Sequence, residues 1–410
     1  MKKFLPSIFS YTIFLYLFLI IIFYNHTAFT SIPNNYPADI SFCIADLKYD
    51  GQNIKICELG DGVLSMFQGY DNLHEAGKER EKNREKGQIW TSFWDFLKQF
   101  DIPLLLIGTK PQRTRYQEMS LGHFTKLGGR FIDKITKLEE QILLKKLSQQ
   151  KNLDKKLDIY NIRSSMACTI MRNGFAPTYL VTRSMSKHPA LIFLDNSTKE
   201  FVSSKYLTNK IFHDAKLEAF RPICKSYNKI YTEKLAQEIT RDIPGNIYVI
   251  KPINAAQGNG IIMVERHNLD KILRIILKQD QLPTNLSRDT SYTHWIKDSN
   301  TIFLVEEFVL SKTITVDKKL YDPTMRVIFV MYNDNKQAQI KFLGSYWKLP
   351  AKSLDEHATL TEQYKSKIVS NRTSSAPVNN QDYEHVQQIL EPVLCAAYIK
   401  MLESKYHAKA

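Results

Sequence analysis

The sequence predicts a mixed α/β protein (α+β / α/β), with an α/β layer ahead of a strand-rich domain and an apolar helix ahead of both. Three observations carry this reading. Between about residues 100 and 240, β-branched runs alternate with helical periodicity, the pattern of an α/β layer. Further on, the apolar strands "TIFLVEEFV", "MRVIFVMYN" and "AQIKFLGSYWKLP" follow one another with little helix between them. At the front, "LPSIFSYTIFLYLFLIIIFY" runs without a single charge.

Leu5 to Tyr24 is long enough to cross a bilayer as a helix, and it is apolar on every face. The following "HTAFTS" is a poor cleavage site, so residues 1–24 are expected to be an uncleaved, single-pass membrane anchor, with a secretion signal as the alternative. Residues 25–40 read as a linker. "SFCIADLKYDGQNIKICELGDG" places two β-rich runs around Asp50-Gly51, a hairpin signal. The mixed charges at 74–88 suit an exposed segment, 103–109 a buried strand, and 137–157 a basic amphipathic helix. Strand-like pieces are expected at 157–162, 179–182 and 190–196, and helical pattern at 203–219 and 227–240. A polar excursion at 279–300 precedes the strands at 301–309, 325–333 and 338–350, and a helix runs near 381–403. The expected units are 1–24 (anchor or signal), 25–40 (linker), 41–73 (hairpin), 90–200 (α/β layer), 201–375 (strand-rich domain) and 380–410 (C-terminal helix).

With 56 Lys+Arg against 42 Asp+Glu, the chain carries a net charge of +14, which favours polyanionic partners or simply a lysine-rich solvated surface. No RRM, KH or zinc signature is present and aromatics do not interleave with the basic runs, so nucleic acid is not expected as a partner. The five cysteines show no CxxC spacing, which supports neither a zinc site nor a disulfide framework.

"YVIKPINAAQGNGIIMV" (248–264) reads as strand, small-residue loop, strand. Lys251 is then a positive charge on a stiff strand end, and a loop without bulky side chains can close its amides over phosphate oxygens. GxxxxGK[ST] is absent, and no helix follows as a Rossmann fingerprint requires. The segment is therefore either a lid over phosphate or an ordinary hairpin.

The order "KP…QGNGI", "FLVEEFV", "DPTMRVIFVMY", "GSYWK" resembles the ATP-grasp superfamily, in which a nucleotide lies between two α+β lobes. The resemblance implies ATP as cofactor, with Lys251 on its phosphates and Gln257, Gly258 and Gly260 in a mobile lid. It puts Glu306 and Glu307 beside adenine and ribose, makes Arg326 a γ-phosphate or substrate-carboxylate ligand with Asp322 as its neighbour, and makes Lys348 a further cationic contact. "VSNRTSSAP" resembles the segment that supplies a substrate- or metal-facing asparagine, here Asn371, and "SSKYLTNKIFHDAKLEAFRPICKSY" the leading helix, whose Lys205 or Lys210 would reach phosphate.

The family closes its catalytic domain with carboxylates that hold Mg2+, since this chemistry needs hard oxygen ligands. Nothing after Asn371 supplies them, but Asp46 and Glu58 stand twelve residues apart on the two arms of the first hairpin. Both share a face only if the turn holds three residues or the hairpin carries a bulge. The inference is a circularly permuted domain with its metal-binding hairpin at the front. The pattern departs from the family at Glu58-Leu59-Gly60, which leaves Asp61 as the nearest third ligand.

The implied function is an ATP-dependent ligase that activates a small-molecule or peptide carboxylate as an acyl phosphate for attack by an amine or other nucleophile. The alternatives are a phosphotransferase that stops at the phosphorylated product, and a non-catalytic, membrane-tethered basic protein that grips nucleic acid or acidic lipid. One tension stands: Lys2 and Lys3 precede the apolar run, so the positive-inside rule sends the remainder across the membrane, away from abundant ATP. At this level, removing Lys251, Asp46 or Glu58 is expected to abolish function at small cost to stability.

Overall fold

The computed structural model describes residues 39–61, 88–98, 197–255, 259–278, 289–334, 337–350, 352–356 and 375–407, with short pieces between them such as 105–107, 130–132 and 167–168. The expected anchor at 1–24, the helix at 137–157, the strand pieces at 157–162, 179–182 and 190–196, and Gln257, Gly258 and Asn371 lie outside the described residues. Among the described residues, no helix is long and apolar enough to cross a membrane.

In chain order the elements are β1 (Asp39–Tyr49), β2 (Ile54–Asp61), α1 (Gln88–Lys98), β3 (Leu105–Ile107), β4 (Arg130–Ile132), β5 (Ala167–Cys168), α2 (Lys199–Ser203) and α3 (Lys205–Asp214). There follow β6 (Cys224–Asn228), α4 (Leu235–Asp242), β7 (Ile247–Pro252), β8 (Ile262–Glu265), α5 (Leu269–Lys278), α6 (Thr290–Lys297) and β9 (Ile302–Glu307). The chain continues with β10 (Ile314–Val316), β11 (Lys319–Tyr321), β12 (Thr324–Asp334), β13 (Gln337–Lys348), β14 (Ser375–Pro377) and α7 (Asn380–His407). The result is a mixed α/β fold.

The largest sheet has the order β14-β13-β12-β1-β2, with every neighbouring pair antiparallel. The N-terminal hairpin is therefore part of the same sheet as β12, far away in sequence. Alternation along the strands gives this sheet two different faces. Cys43, Ala45, Leu47 and Tyr49 of β1 join Met325, Val327, Phe329 and Met331 of β12 in one core with Val386, Leu390, Leu394 and Tyr398 of α7. On the opposite face Phe42 stacks on Phe93 of α1 at 4.4 Å, beside buried Ile40, Ile44, Ile328 and Val330. Further along that same face the intervening positions become Asp46, Lys48 and Arg326, all buried. A surface that is apolar at one end and charged at the other is what positions the site.

The second sheet, β6-β9-β7-β8, is also antiparallel throughout. Tyr248, Ile250, Ile262, Val264, Phe303 and Val305 face a core shared with Leu235 and Ile239 of α4, Leu269 and Leu273 of α5 and Trp295 of α6. Val249, Lys251, Leu304 and Glu306 are the alternate, buried positions. Here two sequence readings are corrected. The helix expected at 227–240 begins only at Leu235, because Cys224–Asn228 forms an edge strand whose half-polar pattern hides its period. The polar excursion at 279–300 contains α6, where Asp289 caps the helix by accepting the Ser291 N–H at 3.0 Å.

A third, parallel sheet, β4-β3-β5, includes the strand expected within 103–109. A backbone contact ties the second sheet to a helix beside the first: the Lys205 N–H of α3 donates to the Ile253 carbonyl just after β7 at 3.0 Å.

Candidate functional site

On β1 and β2, Asp46 pairs with Glu58 but Leu47 pairs with Ile56. Cys57 is the extra residue of a β-bulge, and the bulge sets the two carboxylate positions directly opposite each other. Asp46 also stands opposite Arg326 on β12, because β1 lies between β2 and β12. The Arg326 guanidinium grips Asp46 with two parallel bonds, Nε to Oδ1 and Nη2 to Oδ2, each 2.7 Å. Lys348 Nζ adds a third at 2.8 Å to Oδ2. Such forked, charge-assisted bonds are the strong ones.

Burial by itself would raise the Asp46 carboxyl, but the charges and hydrogen bonds of Arg326 and Lys348 outweigh it and hold the group far below the usual carboxylate range. Burial pushes Lys348 down, and the neighbouring Arg326 charge pushes the same way. Two cations thus share one buried carboxylate, a surplus of positive charge next to the half-exposed Glu58.

A second cluster lies on the second sheet. Lys251, 7% exposed, forms an ion pair with Oε2 of Glu306, itself 2% exposed. Across from it, Arg221 Nη2 lies 3.6 Å from Glu306 Oε1, too long for a hydrogen bond. Glu306 Oε1 and Arg221 Nε and Nη1 are buried with no hydrogen-bond partner among the described residues. Burial raises the Cys57 thiol, and the charges of Lys251, Glu306, Lys48 and Arg221 add smaller, opposing effects. Cys224 is pushed up to about 12 by burial and by Glu306, which excludes a thiolate nucleophile there at neutral pH.

Lys205, at the first turn of α3, joins the two clusters. Its Nζ lies 3.5 Å from Glu58 Oε1 and donates to the carbonyl of Ala255, at the base of the glycine loop. At the far end of that loop Gly260 has φ +72°, and a Cβ there would come within 2.7 Å of Pro252 and 2.8 Å of His294. Trp295 Nε1 fastens the Gly260 carbonyl at 2.9 Å. The loop is thus anchored at both ends.

Asp46, Arg326 and Lys348 form one group, Lys251 and Glu306 a second, and Lys205 bonds Glu58 beside the first and the Ala255 carbonyl just beyond the strand of the second; the other candidates join neither. Lys210 is on the exposed side of α3, paired with Asp214 at 2.6 Å. Asp61 is in register with Cys43, three positions past Glu58, an odd separation that strand alternation assigns to the other side. Asp322 is not a partner of Arg326 but of Lys48, at 3.1 Å, and it also accepts the Ser311 N–H at 2.9 Å. Glu307 turns its Oε1 to the Ile223 N–H at 3.0 Å, and Glu306 is occupied by Lys251. Sequence reasoning missed Arg221, which stands before Pro222 inside the quoted "SSKYLTNKIFHDAKLEAFRPICKSY" segment but has no role in that reading.

Among the described residues, no group of three or more His, Cys, Asp or Glu is arranged to hold a metal ion by itself. Of the two expected carboxylate ligands, the half-exposed Glu58 fits a magnesium ion held mainly by a nucleotide, whereas both Asp46 oxygens are taken by Arg326 and Lys348.

No family model matches the chain, and no curated protein matches it either. Among solved structures, a glutathione synthetase-like effector from Globodera pallida in its apo form is 13% identical, with 76% of this chain and 73% of that chain covered and a TM-score of 0.31. The biotin carboxylase domain dimer of the Hydrogenobacter thermophilus 2-oxoglutarate carboxylase, in complex with MgADP, ADP and bicarbonate, is 11% identical, with 72% and 70% covered and a TM-score of 0.30. Likenesses this weak leave the argument to the residues themselves.

Proposed function

We propose that the protein binds ATP between its two antiparallel sheets and acts as an ATP-dependent ligase of ATP-grasp type. One observation carries the reading: Lys205 bridges the two sheets, its Nζ 3.5 Å from Glu58 of the hairpin that also carries the Arg326–Asp46–Lys348 cluster and bonded to the Ala255 carbonyl just beyond β7, the strand of Lys251. Cationic groups on rigid strands are what a triphosphate requires, and strands fix them better than loops do. In this reading Lys251 and Lys205 bind phosphate oxygens, while Arg326 and Lys348 lie over the transferring γ-phosphoryl group and offset the charge that develops there. The loop anchored at Ala255 and Gly260 excludes water. Glu58 would hold magnesium with the nucleotide while Asp46 keeps Arg326 and Lys348 in place, and the ion would supply charge neutralisation when bound.

The acceptor carboxylate attacks the γ-phosphorus and ADP leaves. The acyl phosphate then yields to an amine or other nucleophile with release of inorganic phosphate. The hairpin's place in the sheet supports the permuted arrangement, since β1 and β2 stand beside β12 although the chain reaches them first.

The test is ATP binding by calorimetry, followed by magnesium-dependent turnover, on the full-length protein. Binding that vanishes in Lys251→Ala supports the reading. A protein that neither binds nor turns over ATP overturns it in favour of a non-catalytic basic protein. A stable phosphorylated product, with no amide or ester, would instead identify a phosphotransferase.

A further inference from the structure

The cluster of Lys251, Glu306 and Arg221 raises a difficulty for any ligand that uses Lys251. The lysine is already engaged by Glu306. If it turns to a phosphate, a carboxylate only 2% exposed loses its hydrogen-bonded cation and keeps only the longer, 3.6 Å approach of Arg221, a loss that opposes binding. The structure also holds an unused remedy. Arg221, 3% exposed, has Nε and Nη1 without partners among the described residues, and its Nη2 faces the equally unpartnered Oε1 of Glu306 at 3.6 Å.

We infer that Arg221 is a positioning residue that takes over the Glu306 carboxylate when Lys251 leaves it for a phosphate. The inference rests on the nucleotide reading above and adds a residue to it. Glu306 has its backbone fixed in mid-sheet, in register with Val249 on one side and Cys224 on the other, so only its side chain needs to swing. A movement of about 1 Å turns the present 3.6 Å approach into a charge-assisted hydrogen bond. Arg221 is held ready for it: its guanidinium lies over the Phe212 ring at 5.4 Å, and its carbonyl accepts from Lys55 Nζ at 3.2 Å.

The experiment is a double-mutant cycle with magnesium-ATP as the probe, read by calorimetry on the full chain. In Arg221→Met, affinity is expected to fall about tenfold or more, since Glu306 is stranded when Lys251 moves. In the Glu306→Gln background the same Arg221→Met change is expected to alter affinity by less than about twofold, because no charge is left to strand. Equal binding by Arg221→Met and the parent overturns the inference and leaves the nucleotide site standing. An equal loss in both backgrounds also overturns it, since Arg221 would then act only as packing. A parent protein that binds no ATP overturns inference and function together. If Arg221→Met does not melt cooperatively, Arg221→Gln runs the same cycle.

Discussion

The two charged clusters make an instructive pair. Around Asp46 both carboxylate oxygens are taken, by Arg326 in a fork and by Lys348. Around Glu306 one oxygen is taken and the other is empty-handed, opposite an arginine with two unpartnered nitrogens. Both clusters hold two cations around one carboxylate, yet the first is locked and the second is poised. The difference follows from support: in the first cluster Asp46 and Arg326 are register partners on adjacent strands, whereas Arg221 comes from outside β6 and meets Glu306 only at a distance. A locked cluster fixes geometry, and a poised one can exchange partners.

Breaking the locked cluster is expected to have the largest effect. Asp46→Asn strands two buried cations and is expected to lower stability by about 3–5 kcal/mol in denaturant unfolding. This corrects the expectation, drawn from sequence alone, that Asp46 can be replaced at small cost. The same carboxylate gives the pH dependence. Its folded-state pKa is depressed, so its contribution is complete above the unfolded value of about 3.9 and is lost as the pH falls toward the folded value. Stability measured between about pH 5 and pH 2 should therefore fall more steeply in the parent than in Asp46→Asn.

The poised cluster is expected to yield more gently. Lys251→Ala should remove thermal protection by ATP while lowering stability by about 1–3 kcal/mol, because Glu306 can turn to Arg221. The cost is not negligible, since Lys251 is buried and paired rather than a lysine without packing. A loss as large as that in Asp46→Asn would show that the two clusters are equally rigid.

Gly260→Ala addresses the close packing of Gly260 against Pro252 and His294. With φ at +72° and Pro252 and His294 in the way, it should cost about 1 kcal/mol or more in a thermal melt and weaken ATP binding. The smallest effect belongs to Lys210→Ala, which should leave both Tm and ATP affinity unchanged, because that lysine pairs with Asp214 on the solvent side of its helix. A loss of ATP binding in this variant would redraw the site around α3.

What could be read in advance follows local rules. The Asp50-Gly51 hairpin, the strand carrying Lys251 and the strand carrying Arg326 announce themselves through period-2 apolar patterns and turn residues. The condition that Asp46 and Glu58 share a face only with a bulge or a longer turn is a statement about strand parity, and the structure has the bulge. Edge strand β6 escaped because one flank is open to solvent and its pattern mixes polar with apolar residues. Lys205 and Lys210, one and a half turns apart on one helix, looked equivalent; only the packing of α3 turns one toward Glu58 and the other to solvent. Asp322 and Arg326 are neighbours in sequence, yet Asp322 serves Lys48 and Arg326 serves Asp46.

The chain by itself marked its apolar strands, its first hairpin and which residues carry charge at their ends, because these depend on neighbours within a few positions. Only the tertiary structure decided which charge meets which. Those pairings join residues as distant as 46 and 348, and their strength comes from burial that no local stretch can create. Arg221 shows the limit most plainly: it stands inside a segment the sequence singles out, yet its meaning lies in the unpartnered carboxylate oxygen it faces.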